Sequence, residues 1–144
     1  SLVLGSAAFI RQARRTRKIL GGGMRQAGVL AAAGHYALQH HVRRLAEDHA
    51  NLHTLASGLR AVGENHPVLR GRITVHPWQT NILFTDVQAD VAPAFTAWLA
   101  QHQIRVTSSL YGGQSRLRWV THLDVNAADV QAALDCVARF TLPG

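Results

Sequence analysis

Four leucines, Leu38, Leu45, Leu52 and Leu59, recur at seven-residue intervals within the longest helical pattern of this 144-residue chain. Val42, Leu55 and Val62 lie beside them, so residues 26–62 are expected to form one long helix carrying an apolar stripe. A helix of that length crosses a whole small domain, and the rest of the chain has to be arranged around it. The stripe also includes Ala56 and His49 at its second core positions, where a coiled coil would keep large apolar residues over three or four heptads. A stripe facing a sheet is the better fit. The first part of the segment, AGVLAAAG, is small and apolar almost all round, which suits a helix packed on several sides.

Ahead of this element, LVLG is a short buried-strand signal and AAFIRQARRTRKIL is helical. Ile10, Ala13 and Leu20 can share one face of that helix while Arg11, Arg14, Arg15 and Lys18 share another. Gly21, Gly22 and Gly23 then end it, glycine being costly inside a helix and free to turn left-handed. Beyond Gly63 the texture changes. HPVLRGR is a turn-rich connection, RITVHP and QTNILFTDV are strands, and VAPAFTAWLAQHQ is a helix. IRVTSS is a third strand, SLYGGQS a loop or hairpin turn and RLRWVTHL a fourth strand. A last helix, NAADVQAALDCVARF, is expected to be capped by Asn126 with Asp129 in its first turn. The expected class is α/β, in three parts. Residues 1–25 give a strand, a helix and a glycine-rich loop, residues 26–63 the long connecting helix, and residues 64–144 a small α+β domain.

Composition sets the outer limits. Hydrophobic residues make up 47% of the chain, and no apolar run approaches the ~20 residues of a membrane span. SLVLGSAAFI lacks the basic lead-in of a signal peptide, and a chain opening without Met inside a strand pattern is expected to be a piece of something longer. The lone Cys136 cannot form an internal disulfide and lies on an apolar helix, which points to burial and a reducing cytoplasm. The net charge of +7 favours anionic partners, but it is local: Arg11, Arg14, Arg15, Arg17 and Lys18 are concentrated in the first helix.

Two stretches carry chemistry. In RKILGGGMRQAG, backbone N–H groups at a helix start lack intrahelical partners and can bind an anion, and glycines clear the way for it. Arg25 adds a guanidinium able to hold two phosphate oxygens, and Lys18 a further charge. No Gly-Lys-Ser/Thr closes the run, and Gln26 stands where a dinucleotide fingerprint wants glycine. A plain hinge between two helices, with Arg25 solvated, accounts for the same residues. In RLRWVTHLDV, a strand directs Arg116, Arg118 and Val120 to one face and Leu117, Trp119 and Thr121 to the other. An outward arginine there either forks onto a substrate carboxylate or extends into water.

Nine histidines invite a metal, but His49 and His53 have no HExxH glutamate and no cysteine partner, so no metal site is expected. His122 beside Asp124 has no nucleophile near it in sequence and is expected to be structural. The basic run RQARRTRK offers an alternative function, a nucleic-acid-binding module tracking phosphates, although no aromatics interleave it.

RKILGGGMRQAGVLAAAGHYAL, RLAEDHAN and LYGGQSRLRWVTHLDV, taken together and in this order, resemble the C-terminal part of low-specificity L-threonine aldolases, pyridoxal-phosphate enzymes of the aspartate-aminotransferase-like fold. The resemblance implies retro-aldol cleavage of a β-hydroxy-α-amino acid to glycine and an aldehyde by a cytoplasmic homo-oligomer, a tetramer when complete. It implies that Arg118 holds the substrate carboxylate and that Arg25 reaches the cofactor phosphate, with Lys18, Gly22 and Gly23 as weaker transfers. It further implies that the imine-forming lysine belongs to a Ser-Lys-Gly-Leu-Gly segment upstream of Ser1, in a large N-terminal domain. Lys18, the one lysine in this sequence, sits in a different motif. No catalytic residue is therefore assigned in this chain, which is expected to be inactive alone.

Overall fold

Ser6 starts the first helix: its Oγ accepts the N–H of Phe9 at 3.2 Å and satisfies one of the donors that a helix start leaves open. The computed structural model describes residues 2–142, in two compact units, one ending at Arg44 and one beginning at Leu45. The first unit holds α1 (Ala7–Ile19) and α2 (Gly28–His40). Helix α1 closes in a Schellman motif. Gly21 takes a left-handed φ of +77°, its N–H reaches the Lys18 carbonyl at 3.2 Å, and the Gly22 N–H reaches the Arg17 carbonyl at 2.8 Å. A Cβ on Gly22 would stand 3.1 Å from that same Arg17 oxygen, so the two glycines serve one turn for different reasons. No described residue of this unit is buried.

Two sequence expectations change here. LVLG forms no strand, because no described segment pairs with it to complete a ladder. The helix expected over 26–62 is divided into α2 and α3 (Leu45–Asn65) by turn residues 41–44. His40, His41 and Val42 are weak helix formers in succession, and the boundary between the units falls at the same place.

The second unit is built on a four-stranded antiparallel sheet in the order β1-β2-β4-β3, with β1 Ile73–Val75, β2 Ile82–Val87, β3 Thr107–Tyr111 and β4 Gln114–Val120. Helix α4 (Ala92–Gln101), carrying Pro93 in its first turn, connects β2 to the outer strand β3. The hairpin from β3 to β4 turns on Gly112 and Gly113 at φ +59° and +80°, the double left-handed geometry that a two-residue connection between twisted strands requires. Helix α5 (Ala127–Ala138) carries the expected capping box: Asn126 Oδ1 accepts the N–H groups of Ala128 and Asp129, and Asp129 accepts the N–H of Asn126.

Strand β4 is central and alternates as its sequence predicts, with Leu117 and Trp119 buried and Arg118 exposed. The inward residues join one core with Leu52, Leu55, Ala56 and Leu59 of α3, Phe95 and Leu99 of α4, and Val130 and Val137 of α5. The heptad leucines thus meet a sheet. Polar bonds pin β4 at its far end: Thr121 Oγ1 donates to the Asp48 carbonyl at 2.7 Å, and Trp119 Nε1 donates to Thr85 Oγ1 at 3.0 Å. Cys136 is buried, as expected, and burial pushes its thiol pKa up.

Leu59→Ala removes a fully buried side chain at the centre of this core and is expected to cost about 2–5 kcal/mol. Gly113→Val places a β-branched residue at positive φ and is expected to cost about 1–2 kcal/mol. Denaturant titration of each variant checks both figures.

Candidate functional site

The outward face of the sheet is where sequence alternation and strand register converge. Asp86 of β2 stands opposite both Thr74 of β1 and Arg116 of β4, and Phe84 stands opposite Arg118. On the other side of β4, Thr107 and Ser109 of β3 stand opposite Arg118 and Arg116. Arg116 and Arg118 therefore occupy adjacent rows of one face.

Their environments differ sharply. Arg116 forks onto Asp86, with Nε to Oδ1 at 2.7 Å and Nη2 to Oδ2 at 2.8 Å, the bidentate geometry that makes arginine–carboxylate pairs strong. Its guanidinium also lies over the Tyr111 ring, 3.9 Å from the centroid. His76 completes the cluster, Nε2 standing 2.7 Å from Asp86 Oδ2. An ionised carboxylate only accepts, so Nε2 carries the hydrogen and donates it, and the 3.3 Å approach of Arg116 Nη2 to His76 is a packing contact. The Arg116 fork above all, helped by His76, holds the Asp86 carboxyl at about 2 against its ordinary 3.8, although burial opposes the shift. Hydrogen bonding to Asp86 in turn raises the pKa of Arg116.

Arg118 is exposed and makes no hydrogen bond or ion pair among the described residues. Its neighbours across the strands are Phe84, partly exposed, and Thr107. A planar guanidinium with unused donors, standing on a rigid central strand, is the form a carboxylate receptor takes.

In the other unit, the glycine run has a defined structural duty. The N–H groups of Gly21 and Gly22 are engaged in capping α1, so among the glycines only Gly23 stands outside the cap. The position of a Gly23 Cβ lies 3.1 Å from Lys18 Nζ, which brings the lysine side chain back over the loop. Arg25 follows in an exposed turn, Gln26 adopts φ +49°, and α2 begins at Gly28 with no side-chain cap at Ala27. The start of α2 thus keeps first-turn donors without a side-chain acceptor, next to Arg25. The hinge reading accounts for Gly21 and Gly22, and the anion reading is left with Gly23, Arg25 and the α2 start.

No group of three His, Cys, Asp or Glu among the described residues could hold a metal ion. His122 Nδ1 accepts the N–H of Asp124 at 3.2 Å and so shapes a turn. Sequence reading alone did not find the Asp86–His76–Tyr111 surroundings of Arg116. The one available signal was Asp86, an acid within the strand ILFTDV, but its partner lies thirty residues away and only the strand register brings the two together.

Comparison with known proteins adds an independent line. A family model described as Beta-eliminating lyase matches residues 1–90. The chain is 40% identical over 126 residues to the low specificity L-threonine aldolase of Escherichia coli O157:H7, covering 88% of this chain and 34% of that protein. It is 38% identical over 142 residues to the probable low-specificity L-threonine aldolase 2 of Arabidopsis thaliana, covering 97% of this chain and 38% of that protein. Among solved structures, 8-amino-7-oxononanoate synthase from Francisella tularensis shares the fold, with a TM-score of 0.57 at 17% identity over 76% of this chain and 30% of that one. The chain thus spans somewhat over a third of the length of the relatives it matches. No helix among the described residues is long and apolar enough to cross a membrane.

The depressed pKa of Asp86 has a signed consequence. Its ion pair stabilises the fold fully above about pH 4 and loses that contribution as the pH falls toward 2, a change on the order of 2 kcal/mol. Denaturant titrations between pH 5 and 2 are expected to show wild-type stability falling more steeply than that of Asp86→Asn. Parallel slopes would show that the pair contributes nothing.

Proposed function

The chain belongs to the beta-eliminating lyase family, and from that membership we propose that it is part of a pyridoxal-phosphate-dependent aldolase that cleaves threonine-type β-hydroxy-α-amino acids to glycine and an aldehyde. The observation that carries the reading is Arg118: an exposed arginine without a described partner on the central strand, within RLRWVTHLDV, the stretch that resembles the carboxylate-binding segment of threonine aldolases.

In this reading Arg118 grips the substrate carboxylate through paired N–H donors and fixes the orientation of the substrate Cα–Cβ bond. Phe84, beside it, supplies an apolar wall that strengthens the charge pairing. Arg25 neutralises the cofactor phosphate, with the donors at the start of α2 and the Gly23 backbone beside it. Lys18 adds charge to the same loop. The residues present fit a phosphate group: a guanidinium, uncapped helix-start donors and a glycine whose lack of a Cβ opens the loop. When bound, pyridoxal phosphate supplies an electron sink for the pair released as the Cα–Cβ bond breaks.

The lysine that would carry the cofactor is not Lys18, which lies in the last turn of α1, and we assign it to the large domain of the whole protein. The whole protein is read as a cytoplasmic homo-oligomer. The buried thiol of Cys136 fits a reducing compartment. Apolar residues exposed on α2, among them Val29, Leu30 and Leu38, are consistent with cover from the large domain or from other subunits. Nothing favours the nucleic-acid alternative for the basic face of α1.

In the complete enzyme, Arg118→Ala is expected to raise KM for threonine by at least tenfold, the scale of a lost charge-assisted fork, while cofactor absorbance is retained. Arg25→Ala is expected to do the reverse, weakening cofactor retention on dialysis while leaving KM at saturating cofactor little changed. Unchanged threonine affinity in Arg118→Ala would remove Arg118 from the site.

A further inference from the structure

Arg116 and Arg118 project from one face of β4 with Cα atoms roughly 6.7 Å apart, so their guanidinium groups fall within reach of the two ends of a small dicarboxylic acid. A face bearing two available guanidinium groups would bind a second carboxylate as readily as the first. This face does not have two available groups. Asp86 occupies Arg116 with both carboxylate oxygens, the Tyr111 ring centroid lies 3.9 Å from the guanidinium carbon, and His76 donates to the same Oδ2 that Arg116 Nη2 reaches. Asp86 is only 8% exposed, so the counter-charge belongs to the folded sheet and does not swing away like a surface side chain.

We propose that Asp86 is a specificity-determining residue, holding Arg116 internally so that the site accepts amino acids with one carboxylate and rejects those with a second on the side chain. The inference rests on Arg118 being the α-carboxylate grip. Rejection has two physical parts. The neutralised Arg116 offers no net charge to a second carboxylate, and the Asp86 carboxylate, close behind it, repels one. Arg116 acts here through its availability, and His76 and Tyr111 are positioning residues that keep its fork closed.

The test uses the complete, cofactor-loaded enzyme and compares threonine with 3-hydroxyaspartate, whose cleavage gives glycine and glyoxylate by the same bond rupture. Equilibrium binding of L-alanine and L-aspartate, measured by calorimetry, supplies a readout independent of turnover. Asp86→Asn is expected to improve the ratio of kcat/KM for 3-hydroxyaspartate over threonine by at least tenfold, mainly through KM, and to shift the aspartate-to-alanine affinity ratio the same way. Adding Arg116→Gln to Asp86→Asn is expected to abolish the gain. Asp86→Ser, which keeps a small polar group in place, is read in parallel so that misfolding of one variant does not decide the result. Unchanged ratios in a folded variant would reduce the pair to a structural role and overturn the inference, as would a gain that survives loss of Arg116. If instead Arg118→Ala leaves the binding of both acids intact, the carboxylate site itself is misassigned and this inference falls with it.

Discussion

Alternation along β4 is the constraint from which both halves of the second unit take their form. Leu117 and Trp119 turn inward and Thr121 follows them into the interior, so the strand is fastened to α3 by burial and by the Thr121–Asp48 hydrogen bond. The same two-residue period sends Arg116 and Arg118 outward. A shift of the pairing by one residue would bury two guanidinium groups and expose the tryptophan, so the core enforces the register of the face that carries the charges. Precision at Arg118 is thus inherited from hydrophobic packing, the firmest constraint a small domain possesses.

Electrostatic differentiation acts on top of that geometry. Two arginines with the same strand and the same orientation are given opposite fates by one acid on the neighbouring strand. Arg116 becomes part of a closed polar cluster, and Arg118 keeps its donors. The charge count of the chain, dominated by the first helix, says nothing of this. What distinguishes the two residues is which neighbour the register sets opposite each: Asp86 in one row, Phe84 in the next.

Much of this was readable in the residues themselves because it depends on local pattern. The strand alternation at 116–121, the double-glycine hairpin, the Asn126 and Asp129 cap and the close of α1 at the glycine run all follow from spacing within a few positions. The features that escaped depend on distant partners. LVLG has strand composition, but a strand exists only through pairing. The heptad leucines run past 41–44 as if one helix continued, whereas the structure breaks there. Asp86 looked like any polar residue in a half-buried strand until Arg116 was set opposite it. The glycine run was read as a choice between a hinge and an anion cradle. Gly21 and Gly22 serve the hinge, and the donors that remain are those of Gly23 and the start of α2.

No described residue of the unit that ends at Arg44 is buried. Two helices of thirteen residues each are near the length at which isolated helices are marginal in water. If other subunits cover them, as proposed for the whole protein, their persistence is governed by mass action, and the apparent melting behaviour of this part of the molecule becomes a function of protein concentration. The loop that presents Arg25 lies between these two helices. Its order, and any affinity it has for an anion, would then be thermodynamically linked to assembly.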